Sequence, residues 1–278
     1  HKEYRRQRQM CIRDRFHDND AHFINGITLN VRDLRTLQPF YEELLGFKKV
    51  EETLTAVKYQ VGDSHHYITL REIKSGRNPL SQEAGLFYIG IQLSNKQHLA
   101  DLIEKLNDYE LPINGGEQNV CTFIFVEDPE GHMFKFYVDK AISDWKQESE
   151  WIRLNIKPLD VSSLLPYAST IGWQGLPNDS KIGNISLKTI RLNEVREYYL
   201  NHFGLVPSAY LDDESFYLAS EQYYCHLSMN QWNSKIKRID NEHTYGLSIV
   251  DFHYPETHHI NIKGPDGIQF RFNFIEVE

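Results

Sequence analysis

Cysteine is scarce: Cys11, Cys121 and Cys225 are the only three in 278 residues. An odd, scattered set builds no disulfide framework, so a reducing, cytoplasmic location is expected. Long apolar runs are missing as well. Nothing approaches the roughly 18 consecutive apolar residues of a membrane-spanning helix, and the charged first residues are followed by no apolar signal-peptide core, so no membrane partner is expected. Positive charge is outweighed, with 30 Lys and Arg against 39 Asp and Glu and a formal net charge of -9. That balance argues against a general nucleic-acid binder, whose surface would be basic. No Gly-rich phosphate loop, CxxC pair or nucleophile elbow occurs, which removes the chemistries those motifs carry.

What the chain does have is a turn and strand used twice. Asp128-Pro129-Glu130-Gly131 leads into Phe134-Lys135-Phe136-Tyr137, and Gly264-Pro265-Asp266-Gly267 leads into Phe270-Arg271-Phe272-Asn273. Proline sets φ at the second turn position, and the glycine after the acid permits φ > 0. Alternation then puts Phe134 and Phe136 on one face of a strand and Lys135 on the other, with Arg271 at the matching place in the second copy.

The pattern before each turn repeats too. Residues 23–31 alternate as a strand, Asp33 is a plausible N-cap, and a helix with Leu37, Phe40, Tyr41 and Leu44 on one stripe runs to Leu45, where Gly46 ends it. Gly26, Tyr41 and Gly46 match Asn184, Tyr199 and Gly204 at one constant offset. Strands are expected at 56–61, 67–72, 85–91, 121–126 and 134–138, and a helix at 97–109. The last unit has no such helix: residues 250–258 include Pro255 and show no helical stripe. The expected class is α+β, with four βαβββ modules and the last lacking its helix. The expected division is 1–21 as a disordered or artefactual segment, 22–140 as a first domain, 141–181 as a connection and 182–278 as a second domain. Within the first segment, Arg8 to Arg15 reads as an adaptor-derived scar and is left out of the fold. Tyr41, Tyr198 and Tyr199 read as core, and the acid pairs Glu42-Glu43 and Asp212-Asp213 as solvated surface.

These features, with Asn30-Val31-Arg32-Asp33, Phe40-Tyr41 and Leu45-Gly46-Phe47, resemble the vicinal oxygen chelate superfamily of glyoxalases, bleomycin-resistance proteins and extradiol dioxygenases. Asp144-Trp145, Trp173-Gln174-Gly175-Leu176-Pro177, Ile182-Gly183 and Asn230-Gln231-Trp232-Asn233 resemble its two-domain catechol 2,3-dioxygenase-like branch. The likeness covers about residues 22–278. It implies sheets curled into cups, helices outside, a ligand inside a cup and, by family analogy, pairing of two copies.

The resemblance also implies a divalent metal, Fe2+ or Mn2+, held by two histidines and a glutamate. The first ligand would fall at Gly26 or Asn184, the second near Tyr88 or at Thr244 or Tyr245 beside His243, and the carboxylate at Lys135 and Arg271. None of these is a suitable donor. Two like charges about 4 Å apart oppose each other by about 4 kcal/mol at an effective dielectric of 20, and a dication doubles this. No cofactor is therefore expected.

Period-two spacing puts His226, Ser228, Asn230 and Trp232 on one face and Cys225, Leu227 and Met229 on the other. The leading expectation is a protein that binds a small aromatic or anionic molecule without iron. Lys135 and Arg271 would supply charge, Asn184, Tyr88, Ser228, Asn230 and Trp232 would line the ligand, and His226 would be the one catalytic candidate, as acid-base group or scaffold. The alternative is a metal-dependent ring-cleaving dioxygenase or glyoxalase-type lyase whose metal is displaced onto residues such as His65, His66, His243, His253, His258 and His259. A third reading is an inactive interaction scaffold.

Overall fold

The computed structural model describes residues 16–17, 20–63, 65–145, 151–220, 222–255 and 259–273, and the backbone of 147–148. The first module holds β1 (Phe23–Val31), helix α1 (Leu34–Pro39), β2 (Lys48–Glu52), β3 (Ala56–Val61) and β4 (His66–Glu72). Asp33 caps α1 by accepting the Arg35 amide, and Pro39 inside the helix is followed by a wider turn over Phe40–Leu44. Proline donates no amide, so a change of helical pitch next to it is expected. The second module holds β5 (Gly85–Leu93), α2 (Lys96–Asp108), β6 (Asn114–Glu117), β7 (Cys121–Glu127) and β8 (Met133–Asp139).

The connecting segment contributes β9 (Gln147–Glu148), β10 (Trp151–Arg153), β11 (Lys157–Leu159) and a 3-10 helix over Val161–Tyr167. The third module follows with β12 (Lys181–Lys188), α3 (Leu192–His202), β13 (Val206–Tyr210), β14 (Ser215–Ala219) and β15 (Leu227–Asn230). The fourth holds β16 (Gly246–His253), β17 (Ile260–Lys263) and β18 (Gln269–Phe272). Among the described residues no helix lies between β16 and β17, as the pattern at 250–258 predicts. In each module the first strand runs parallel to the last: β1 to β4, β5 to β8, β12 to β15 and β16 to β18.

The modules do not pair in sequence order. β1 pairs antiparallel with β16, giving a seven-stranded sheet from the first and fourth modules. β5 pairs antiparallel with β12, giving an eleven-stranded sheet from the second and third. The expected division into 22–140 and 182–278 therefore does not follow the sheets, because hydrogen bonding joins the outer modules to each other and the inner modules to each other. The connection at 141–181 is also more than a linker. It adds β11 to one edge of the larger sheet, beside β6, and β10 and β9 to the other, beside β13. The first copy of the turn ties the second module to the first. Glu130 accepts the Arg32 and Asp33 amides, and Asp128 accepts the Tyr41 hydroxyl at 2.9 Å.

One apolar core lies between the helices and the sheets, joining Leu37, Tyr41, Ile89, Leu102, Phe136, Tyr199 and Phe270, so Tyr41 and Tyr199 are packing residues as expected. The segment Trp173 to Leu176 closes over α1: Trp173 Nε1 donates to the Leu45 carbonyl, and Gly175 lies against Gly46, where an added Cβ would come within 2.3 Å of the Gly175 Cα. Glu42 and Asp212 are not simply solvated, since they accept the Tyr59 hydroxyl and the Trp232 indole N–H.

A second, smaller core fills the opposite face of the eleven-stranded sheet, with Phe123, Tyr137, Ile152, Tyr217, Tyr223, Tyr224 and Cys225 among its members. Phe16 belongs to it, stacking on Trp145 at 5.8 Å. Phe16, inside the expected segment 1–21, is thus packed into the fold; the scar reading of 8–15 lies outside the described residues. At Gly183 this core leaves no room, since a Cβ would sit 1.8 Å from the Tyr137 hydroxyl. That hydroxyl is bonded to Tyr223 at 2.9 Å and is not free to swing away. Gly183→Ala is expected to cost about 2–3 kcal/mol, as overpacking does. Equilibrium urea unfolding checks this, and a loss under about 0.5 kcal/mol, the range of ordinary surface changes, would mean the second core is loosely packed.

Candidate functional site

Strand register gives each sheet an equivalent set of four central positions. In the seven-stranded sheet Gly26 lies opposite Asp251, with Tyr67 beside Gly26 and Arg271 beside Asp251. In the eleven-stranded sheet Asn184 lies opposite Gly90, with Lys135 beside Gly90. Ile185 partners Leu227, so the position beside Asn184 falls at His226. The second-ligand positions expected at Tyr88 and at Thr244 or Tyr245 are thus corrected to Gly90 and Asp251, because the antiparallel ladders carry bulges that shift the register.

The second cup is filled. Lys135 is 4% exposed, with its ammonium 4.5 Å from the Phe123 ring centre, 5.3 Å from Tyr137 and 5.4 Å from Tyr88. Gln118 Oε1 stands 3.4 Å from it. This is a cation held against aromatic faces, which attract it through the ring quadrupole. His226 is fully buried. Its Nδ1 accepts the Ser220 amide at 3.2 Å, and its Nε2–H donates to the Phe16 carbonyl at 3.0 Å. Both nitrogens face backbone groups, an arrangement in keeping with the scaffold alternative for His226. Asn184 is also fully buried, and its amide oxygen and nitrogen have no partner among the described residues. Tyr88 is kept protonated by burial, with Ser228 and Ser186 in reach of its hydroxyl.

Asn230 and Trp232 stand together away from that centre. They line a cavity of about 290 Å³ at the end of the sheet, with Phe87, Met133 and Lys188. Lys188 and Phe87 were not foreseen; Lys188 closes a strand whose alternation would have placed it on the same face as Asn184 and Ser186.

The first cup is open and charged. A cavity of about 120 Å³ is lined by Gly26, Lys58, Tyr67, Thr69, Asp251 and Arg271. Arg271 forms a two-bond pair with Asp251, Nε to Oδ1 at 2.5 Å and Nη2 to Oδ2 at 2.7 Å. One pleat beyond Thr69, Arg71 donates to Asn30 Oδ1 at 2.8 and 3.0 Å and to Ser248 Oγ at 3.0 Å. Burial, and then the charge of Arg271, pull Arg71 below its ordinary value, while Glu242 acts weakly the other way. Lys58 lies 4.8 Å over the Tyr67 ring. Asp251, Arg71 and Lys58 were not named from sequence, although Arg71 and Lys58 fall on the polar phase of expected strands; no strand was expected around Asp251.

Neither set suits a facial-triad metal. In the first cup the only carboxylate of the four positions is already held by a guanidinium, and in the second the orphaned Asn184 amide offers one neutral oxygen beside an ammonium. A side chain at Gly26 would approach Asp251 Oδ2 to 3.0 Å, and one at Gly90 would meet Asn184 Oδ1 at 2.5 Å, so imidazoles are not accommodated there either. Among the described residues no group of three or more His, Cys, Asp and Glu side chains converges for a displaced ion, and His258 lies outside those residues.

The Glyoxalase/Bleomycin resistance protein/Dioxygenase superfamily matches residues 23–136. A catechol-2,3-dioxygenase of Bacillus subtilis (strain 168) is 24% identical over 216 residues, which is 77% of this chain and 75% of that protein. Among solved structures, a putative dioxygenase from Bacillus subtilis has a TM-score of 0.62 at 12% identity, covering 92% of this chain and 86% of its own. Glyoxalase I from Zea mays has a TM-score of 0.55 at 12% identity, covering 90% and 92%. These likenesses in structure are of fold. Taken with the repeated βαβββ modules, they support a resemblance to the glyoxalase/bleomycin resistance protein/dioxygenase superfamily, whose family model matches residues 23–136.

Proposed function

We propose that the protein binds a small, compact anion in the first cup without a metal. The observation that supports this best is the placing of Arg71 and Arg271 on one polar face beside an open cavity. Lys58 and Arg271 line the cavity with Asp251, and Arg71 stands one pleat beyond it, held by Asn30 and Ser248. A guanidinium fork matches carboxylate and phosphate geometry, and its bonds to an ionised acceptor are the strong kind. Asn30 holds Arg71 in place, donating to the Asn241 and Thr244 carbonyls and so tying the first module to the fourth. On this reading the functional units are the two sheets: the smaller captures, and the larger carries its charge as part of a packed interior. No described helix is long and apolar enough to cross a membrane, which leaves binding from solution open.

The test uses oxalate and inorganic phosphate as probes, followed by calorimetry. Arg71→Ala and Arg271→Ala are each expected to weaken the tighter probe about 10- to 100-fold, because hydrogen bonds to charged groups contribute about 1.5–3 kcal/mol. Unchanged affinity in both variants would remove the argument. A second reading, metal-dependent ring cleavage, draws on the 24% identity to a catechol-2,3-dioxygenase. Anaerobic loading with Fe(II) and addition of catechol and then oxygen tests it, and stoichiometric iron with ring-cleaved product would replace the first reading.

A further inference from the structure

We propose that the open end of the second cup is a separate binding site for a flat aromatic carboxylate, gripped by Lys188 and Asn230 and walled by Phe87 and Trp232. The site shares no residue with the first-cup cavity, so it stands or falls independently of it. Lys188 and Asn230 are direct partners in the parallel ladder of β12 and β15. Partners across a ladder project to the same face, and the strands are roughly 4.8 Å apart, so an ammonium and an amide there reach the two oxygens of one carboxylate. Asn230 is 3% exposed, and its Nδ2 has no acceptor among the described residues. A donor buried in that way calls for a partner. Glu83 attracts Lys188 only weakly, ranking behind burial and Arg238, and is itself paired with Arg77 at 2.7 Å. Burial, and then the nearby Arg238, draw its ammonium below the ordinary value, a state that an incoming anion relieves.

The cavity's shape indicates what the anion is attached to. It holds about 290 Å³, against about 120 Å³ in the first cup. The Trp232 indole donates to both Asp212 oxygens, at 3.0 and 3.2 Å, which fixes the plane of the ring. Phe87 meets it edge to face with centres 5.8 Å apart, making an aromatic corner. Glu127 also lines the cavity, but on β7, three strands from β12 and hence roughly 14 Å across the sheet, so it does not compete at the Lys188 end. One end is therefore basic, the middle apolar and flat.

Benzoate is the probe, with benzamide and cyclohexanecarboxylate as comparators, followed by saturation-transfer NMR and calorimetry on the full chain. Benzoate is expected to bind and benzamide not to. Lys188→Gln should weaken benzoate tenfold or more, and Trp232→Leu should abolish its advantage over cyclohexanecarboxylate. Arg271→Ala should leave benzoate unchanged. If Lys188→Gln does not fold, Lys188→Arg, which keeps the charge, is expected to retain binding and Lys188→Met to lose it. The proposal is overturned by absence of benzoate binding, by binding indifferent to the charge at position 188, or by loss in the Arg271 variant, which would relocate the probe to the first cup.

Discussion

Asp128→Ala is expected to remove about 3–5 kcal/mol of stability, the range seen when one member of a buried polar pair is deleted. The carboxylate is 4% exposed and fully used. Oδ1 accepts the amides of Glu130 and His132, each at 2.9 Å, and Oδ2 accepts the Tyr41 hydroxyl at 2.9 Å and His132 Nδ1 at 2.8 Å. Truncation leaves the Tyr41 hydroxyl buried with no acceptor, at about 1–3 kcal/mol for such a group, and unties the turn from α1. With native stabilities of about 5–15 kcal/mol, much of the margin would go. The carboxyl also responds to pH. Burial alone would raise it, but the His132 and Tyr41 bonds outweigh burial and hold it below the ordinary value. A depressed folded value stabilises above the unfolded value of about 4 and is lost as pH falls through the folded one. Urea midpoints measured from pH 7 downward should fall for the native chain and fall less for Asp128→Asn. Equal slopes would show that Asp128 does not carry the acid sensitivity.

The second copy of the turn sharpens this. Gly264 stands where Asp128 does, so no comparable clamp forms, and Asp266 stands where Glu130 does. Burial raises the Asp266 carboxyl, and nearby Thr189, Lys237 and Arg191 offset this only in part. The two turns look alike in sequence, yet Asp128, which opens the first, is held ionised, whereas Asp266 in the second resists ionisation. The difference lies in neighbours that sequence spacing does not supply.

The same limit governs what was legible overall. Strand alternation and helical stripes are local, so β1, β3, β5, β7, β8 and α2 fall within a few residues of their expected places. β2 and β6 were not placed: Lys48–Glu52 is exposed throughout with Val50 its one apolar residue, and Asn114–Glu117 contains two glycines, so neither shows an apolar phase. Module partnership was not legible because the leading strand of every module presents a similar pairing edge, and β1 meeting β16 in preference to β5 is a matter of global packing. At the sites, alternation placed Lys135 and Arg271 on the cup face. It carried no information that Gln118, Phe123 and Tyr88 converge on the first while Asp251 meets the second. For His226 alternation left acid-base group and scaffold both open, since one of its partners is Phe16, which lies in the segment 1–21 expected to stand apart from the fold.

Lys135 offers the sharpest test of what the second cup is. Lys135→Glu restores the kind of carboxylate that the superfamily resemblance leads one to expect there, and it is expected to cost about 3–5 kcal/mol, as an unpaired buried charge does. The ammonium faces three rings, and an anion in its place meets the negative faces of the same rings. Each favourable contact, about 0.5–2 kcal/mol for a cation, changes sign. Protonation relieves the charge only by leaving a polar acid in an apolar cage. Lys135→Met keeps length without charge and is expected to fall within about 1 kcal/mol of the native chain or above it, since well-packed apolar replacements of buried ions often are neutral or stabilising. Lys135→Ala, which leaves a void, should cost about 2–4 kcal/mol. The ordering Met, Ala, Glu in urea unfolding is what a packed interior predicts. A Lys135→Glu protein that stayed folded and took up one equivalent of Mn2+ or Fe2+ would reverse the conclusion, because only a site already shaped for an ion would turn that substitution into a gain.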